Sequence, residues 1–263
     1  MEAIAIKKMI EPIRKKMPRY GTEKLHLDIA DKLKQSNIKM GRDRFLKFCR
    51  SHHLLVPKTK RCFITTDSKH FYYKSPNRIK DIAPTHAEQI FVTDITYIKI
   101  EDKHAYLALV TDLYSRKIMG YQLDDNMRVS LVKDALKMAI NNCEHQREKI
   151  IHHSDRGIQY CCPDYSEFAE LNGMILSTTE KYDPYENAVA ERINGILKYE
   201  FGLLKTIPSL EIANKMLKES VEVYNNERRH RSIEMQTPGF AHTQQKHTYL
   251  SYKKETARNV DKV

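Results

Sequence analysis

The chain has 263 residues and sets 45 Lys and Arg against 34 Asp and Glu, a formal charge of +11 that suits a polyanionic partner. No segment approaches the length of a membrane span, and Met1 to Ile10 lacks the apolar core of a signal peptide, so a cytoplasmic protein without a membrane partner is expected. The length accommodates two domains, the larger with a real core.

The positive charge is concentrated at one end. Residues 1–80 hold 21 Lys and Arg against 7 Asp and Glu, a local +14 against +11 overall, which leaves −3 for residues 81–263. Such a segment gains affinity for nucleic acid by releasing counterions from phosphates. Its pattern is helical: Ile4 to Lys16, kinked or split by Pro12, a break at Pro18-Arg19-Tyr20-Gly21, then Thr22 to Gln35 and Gly41 to His52. The arrangement fits a small helix-turn-helix-like DNA-binding domain over residues 1–56. Arg42, Arg44, Lys47 and Arg50 on its last helix are the expected DNA contacts, with a solvated charged face as the alternative.

Residues 57–84 are basic, poor in apolar periodicity and punctuated by Pro57, Pro76 and Pro84, the mark of a connector. Beyond it, strand-like runs Gln89 to Ile100 and Ala105 to Asp112 flank Glu101-Asp102-Lys103 and predict a hairpin, which Lys117 to Leu123 extends. Arg128 to Asn142 has helical spacing, and Ile150-Ile151-His152-His153 reads as a short buried strand. A helix from Pro163 to Asn172-Gly173, a strand Met174 to Thr178, the loop Lys181-Tyr182-Asp183-Pro184 and a helix capped by Asn187 follow. A further helix spans Ser209 to Asn225, and residues 244–263 form a polar, basic tail.

Three acids stand out against this framework. Asp94 interrupts the apolar run Phe91 to Ile98, where a carboxylate is costly unless paired, protonated or bound to a cation. Asp155 falls just past the carboxyl end of a strand, where open α/β sheets place ligands. Glu191 lies 35 intervening residues later, on the helix that begins near Asn187. Three such carboxylates suit phosphoryl transfer, in which two Mg²⁺ ions about 3.5–4 Å apart are held by hard oxygen ligands. Asn187, Glu191 and Lys198 fall at i, i+4 and i+11 and share one helix face. Lys198 is then either a phosphate contact beside the metal or a solvated partner of Glu200. The bland alternative is chance spacing among 34 acidic residues.

Other residues keep two readings. Asp112 is taken as a turn residue pairing with Arg116 rather than a fourth ligand. His153 either touches a phosphate or is a satisfied half-buried ring. Arg228 and His230 either contact DNA or close the preceding helix with favourable charge. Cys49, Cys62, Cys143, Cys161 and Cys162 lack paired metal-ligand spacing and read as reduced thiols rather than a zinc site.

The linked strings Val92-Thr93-Asp94-Ile95-Thr96-Tyr97-Ile98, Val110 to Arg116, His153-Ser154-Asp155-Arg156-Gly157-Ile158-Gln159-Tyr160, Glu186 to Glu191, Asn194 to Lys198 and Tyr224-Asn225 with Arg228, His230 and Thr237-Pro238 occur in order. In these the chain resembles the catalytic subunit of bacterial insertion-sequence transposases encoded in two overlapping frames, and, in its catalytic part, retroviral integrase. Two departures are visible: Phe91 stands where the family usually has Trp, and Glu186 where Asp is common. Neither removes a ligand.

The resemblance implies an α/β, ribonuclease H-like mixed sheet flanked by helices over residues 85–243, behind the all-α domain. It implies that Asp94, Asp155 and Glu191 form the catalytic, metal-binding triad of a DDE-type transposase. The cofactor is then Mg²⁺, with Mn²⁺ expected to substitute. Lys198, Asn187 and Arg228 join the helical arginines as DNA-binding residues. The partners implied are double-stranded DNA of the element ends and target, further protomers in a synaptic complex, and an upstream-frame subunit or fusion, in the bacterial nucleoid. A non-catalytic DNA-binding accessory subunit and a hydrolysis-only nuclease are the alternatives.

Overall fold

The computed structural model describes residues 2–57, 71–80, 82–144, 149–180 and 187–249. Much of the connector, Cys62, the loop at 181–184, Glu186 and most of the tail lie outside these residues.

The described strands form one five-stranded mixed sheet of order β3-β2-β1-β4-β5. β1 (Ile90–Ile100), β2 (Lys103–Asp112) and β3 (Ile118–Asp124) make an antiparallel meander, while β4 (Ile150–Ser154) and β5 (Met174–Thr178) add in parallel beyond β1. β2 begins two residues earlier than its apolar run suggests, because Lys103 and His104 continue the ladder opposite Ile100 and Lys99. Backbone pairing needs no apolar side chain at an exposed hairpin end.

The central strands are apolar on both faces because both are covered. Phe91, Ala108 and Val110 pack with Leu131, Ala135 and Leu136 of α4 (Val129–Asn141) and with Tyr165 and Ala169 of α6 (Pro163–Leu171). Val92, Leu107 and Leu109 belong to the opposite cluster with Ile193 and Leu197 of α7 (Ala188–Glu200) and Leu217 and Tyr224 of α8 (Leu210–Asn226). Each fully buried aliphatic side chain contributes about 1.5–3 kcal/mol. α4 approaches so closely that a Cβ on Gly120 of β3 would lie 2.1 Å from the Ala135 carbonyl oxygen. The short α5 (Ile158–Cys161), too brief for a periodic signal, lies between β4 and α6.

The N-terminal helices α1 (Glu2–Lys16), α2 (Thr22–Gln35) and α3 (Arg42–Ser51) follow the expected bounds closely. Pro12 does not split α1: Ile6 and Ile10 before it are buried, and Ile13 after it packs against the same cluster. Leu25, Ile29, Leu33, Phe45 and Cys49 join the same cluster as α7 and α8. A polar seam runs beside that contact: Arg229 to Asp28 at 2.5 Å, Arg231 to Glu23 at 2.8 Å and Lys16 to Glu227 at 2.7 Å. After α8 the chain makes a 3-10 turn, Arg231–Ile233, followed by α9 (Pro238–Gln244). No described helix is long and apolar enough to cross a membrane.

Candidate active site

Asp94 sits mid-β1 because the strand's alternation turns it toward α7, and Asp155 follows the last residue of β4. β1 and β4 are parallel with Val92 opposite His153, so counting two residues on brings Asp94 level with Asp155. α7 crosses this edge and brings Glu191 in its first turn. Helix propensity alone does not dictate that crossing. Two asparagines seven positions apart, on the same side of the helix, pin α7 to β1: Asn187 Nδ2 donates to the Thr93 carbonyl at 3.0 Å, and Asn194 Nδ2 donates to Asp94 Oδ2 at 2.9 Å.

The three acids sense one another. Asp94 is half-buried, and burial, followed by the charge of Asp155, pushes its carboxyl up to about 8; the Asn194 bond opposes this and Glu191 adds to it. Glu191 is solvent-exposed at its outer face, yet desolvation and then Asp155 hold it above the ordinary carboxylate range. The Asp155 carboxylate accepts from the Gly157 N–H at 3.0 Å, which fixes its orientation. Among the described residues no three His, Cys, Asp or Glu side chains already stand as a chelating cluster, so the acids meet through their fields rather than around a common point.

This donor set nevertheless fits a hard divalent cation. All three are oxygen ligands, and one of them must be protonated near neutral pH or neutralised by positive charge. Below the acids, the Tyr160 hydroxyl meets Thr93 Oγ1 at 2.8 Å, and the His152 ring meets the Tyr165 hydroxyl at 2.9 Å. Burial lowers His152 to about 4, so it is a neutral, structural ring.

Several expected contacts have other roles. Asn187 does not cap α7 with its side chain and is buried against β1, which removes it from a DNA surface. Arg228 is 2% exposed and makes a two-pronged pair with Glu200, 2.8 Å at each prong, so its guanidinium belongs to the interior. His230 is also buried, and desolvation, then Arg228, lowers it to about 2. Asp112 is structural, but its carboxylate is engaged by the Glu88 N–H, Ser115 and the His242 ring, whereas the Arg116 guanidinium donates to Ser232 and the Leu113 carbonyl. His153 is fully buried against Ser177 at 2.8 Å.

Arg42, Arg44, Lys47 and Arg50 are all exposed on α3, where Arg44 donates to the Lys39 carbonyl at 2.8 Å and nears Glu2 at 3.5 Å. Lys198 is half-buried on α7. The described cysteines, Cys49, Cys143, Cys161 and Cys162, are free thiols. Asn194 is the site residue that sequence reasoning missed. Its signal is a polar residue three positions after Glu191 and seven after Asn187, on the face turned to β1.

Two family profiles match the chain, both described as Integrase core domain, over residues 84–184 and 172–238. The chain is 33% identical to an uncharacterised 31 kDa protein of insertion element IS600 from Shigella sonnei, over 80% of this chain and 76% of that one. It is 36% identical to a putative transposase of IS986/IS6110 from Mycobacterium tuberculosis over 44% of each chain. It is 34% identical to the IS3A transposase InsF of Escherichia coli, over 61% of this chain and 52% of that one. In fold it is similar to a chain of the simian T-cell lymphotropic virus intasome, with 18% identity and a TM-score of 0.52, over 84% of this chain and 70% of that one.

Proposed function

We propose that this chain, which belongs to the bacterial insertion-sequence transposases built on an integrase core, cleaves one DNA strand at an element end with water and then transfers the freed 3′-OH to a second DNA. The observation that carries the reading is that Asp94 in the middle of β1, Asp155 just past the end of the neighbouring β4 and Glu191 on α7 act on one another's charge, with Asp94 held up to about 8. Each step exchanges one P–O bond for another, and no protein–DNA bond forms. Bound at these three carboxylates, Mg²⁺, or Mn²⁺ in its place, would supply positive charge to the attacking and departing oxygens.

The remaining work falls to the chain itself. Asn194 keeps the Asp94 carboxylate turned toward α7, and the Gly157 N–H holds that of Asp155. Residues 1–56 hold the element end, with Arg42, Arg44, Lys47 and Arg50 against its phosphates, while residues 85–243 carry out the chemistry, with Lys198 on the DNA beside Glu191. The connector at 57–84 and the tail from 244 add positive charge along the duplex. Two or more protomers act together, with an upstream-frame subunit or fusion completing end recognition, in the bacterial cytoplasm.

The test is cleavage and strand joining on labelled DNA carrying the element's ends, with Mg²⁺. The wild-type chain, its fusion to the upstream frame and Glu191→Gln are compared. Joined product that disappears in Glu191→Gln is the expected result. Binding without cutting or joining, by both the chain and the fusion, would leave a DNA-binding accessory subunit as the better reading.

A further inference from the structure

We propose that Phe71 and Tyr73, in the connector ahead of the sheet, form a stacking surface for unpaired nucleobases of a DNA strand led to the acid edge. That the strand is DNA rests on the function proposed above; the site itself stands on the placement and exposure of the two rings.

The described part of the connector is fastened along β5. The Arg78 N–H donates to Ser177 Oγ at 2.9 Å, Arg78 Nε to the Leu176 carbonyl at 3.2 Å, and Thr178 Oγ1 to the Ser75 carbonyl at 2.6 Å. Going back from Arg78 to Ser75 therefore advances toward the carboxyl end of β5. β5 is parallel to β4 with Thr178 opposite Ser154, so residues 71–74 stand at the end of the sheet where Asp155 lies. At most about 7 Å of chain separates Tyr73 from Ser75. The Cys161 thiol of α5 lies in the field of both segments: burial pushes it up, Lys74 opposes the rise and Asp155 adds to it, for a value of about 11.

An extended segment alternates its side chains, and here Tyr72 packs against the cluster under α4 and α6 while its two neighbours face water. Phe71 is 90% exposed and Tyr73 79%. The Phe71 ring leans on that of Tyr72, with 4.6 Å between centroids, so it is held in place although most of it is open.

Charge selects the occupant. Residues 57–80 hold seven Lys and Arg against one Asp. Lys74 directly follows Tyr73, and Arg156 directly follows Asp155, so cations accompany both the rings and the acid edge. Aromatic rings set among cations match a single strand, whose bases offer flat faces and whose backbone offers phosphates. In a paired duplex each base face is covered by the next base, so the rings can be used only where bases leave the stack. A strand end held in this way would bring its backbone to Asp155.

The test is binding by the full chain in EDTA, with two DNAs carrying the element end. One is fully paired, and the other has its terminal base pairs mismatched, with a fluorescent adenine analogue in the unpaired stretch. The variants are Phe71→Leu with Tyr73→Leu, which keeps apolar bulk and removes the aromatic faces, and Phe71→Tyr with Tyr73→Phe, which keeps the faces. Leu171→Ala, at another exposed apolar position, is the control. Wild type should bind the mismatched end about tenfold tighter than the paired one, the scale of a stacked base, and should quench the analogue. The leucine pair should lose both effects, and the aromatic pair and the control should keep them.

A wild type that binds both DNAs alike, or neither, overturns the stacking surface, as does a leucine pair that keeps the preference. Changed sedimentation of the leucine pair with an unchanged DNA preference would also overturn it and assign the rings to a second copy of the chain. Without metal no strand is cut, so these outcomes are separate from the loss of strand joining in Glu191→Gln.

Discussion

Asn194 donates from α7 to Asp94 on β1 across 2.9 Å, joining residues 100 positions apart in the chain. The bond selects one orientation of a carboxylate that otherwise has little reason to remain charged. Asn194→Leu keeps the volume and removes the donor. We expect strand joining to fall about 10–100-fold, the range for partners that orient a ligand, with the fold retained by circular dichroism. Activity within twofold of wild type would show that Asp94 orients itself.

Because Asp94 is raised to about 8, the folded chain binds a proton that the unfolded chain, at the ordinary value of 3.8, has released. Metal-free stability therefore falls as pH rises through that window. A divalent cation must displace the same proton, so the rise in Tm with added Mg²⁺ should be larger at pH 8.5 than at pH 6.5. In Asp94→Asn the metal-free chain should be the more stable one at high pH and should lose most of its response to Mg²⁺. A Tm response that is flat with pH in wild type, measured by scanning calorimetry, would remove Asp94 from the cation site.

The pair between Arg228 and Glu200 fastens the N-terminal helices to the core, since Lys24 of α2 also reaches Glu200 at 3.4 Å. Despite burial, which raises it, the bonds from Arg228 hold Glu200 below its usual range. Removing Arg228 leaves the buried Glu200 charge with only the longer contact from Lys24, at a cost of up to about 3–5 kcal/mol. Arg228→Met should therefore unfold at markedly lower urea concentration. Unchanged urea midpoints would mean that the seam is dispensable.

His152 and His230, lowered to about 4 and about 2, stay neutral in the fold while the unfolded chain takes up protons below about 6.5. The unfolded state then binds more protons, and stability falls with falling pH. At pH 5 the loss approaches about 2 kcal/mol per ring. His152→Gln should flatten the acid limb of the stability curve. An acid limb identical to wild type would assign the loss to other groups.

At Gly120 the Ala135 oxygen and Ala139 nitrogen leave no room for a Cβ. Gly120→Ala must push α4 off β3 and should destabilise the chain by about 1–3 kcal/mol. A neutral effect in thermal melts would mean that α4 shifts freely.

What the sequence determined by itself was local and periodic. Alternation along Gln89 to Ile100 and the period of Arg128 to Asn142 placed strand and helix, since burying one face sets those patterns. The cost of a carboxylate in an apolar strand singled out Asp94, and motif order brought Asp155 and Glu191 to join it. Tertiary structure decided what each polar residue does once its neighbours arrive. Arg228 and Asn187 look like surface contacts in a linear reading, and both are buried because Glu200 and the Thr93 carbonyl meet them from distant segments. Asn194 has the opposite history: a polar residue in a helix has no visible role until β1 is packed beside it. Composition records a residue's charge and polarity, whereas only packing decides which opposing group, or which cavity, will receive them.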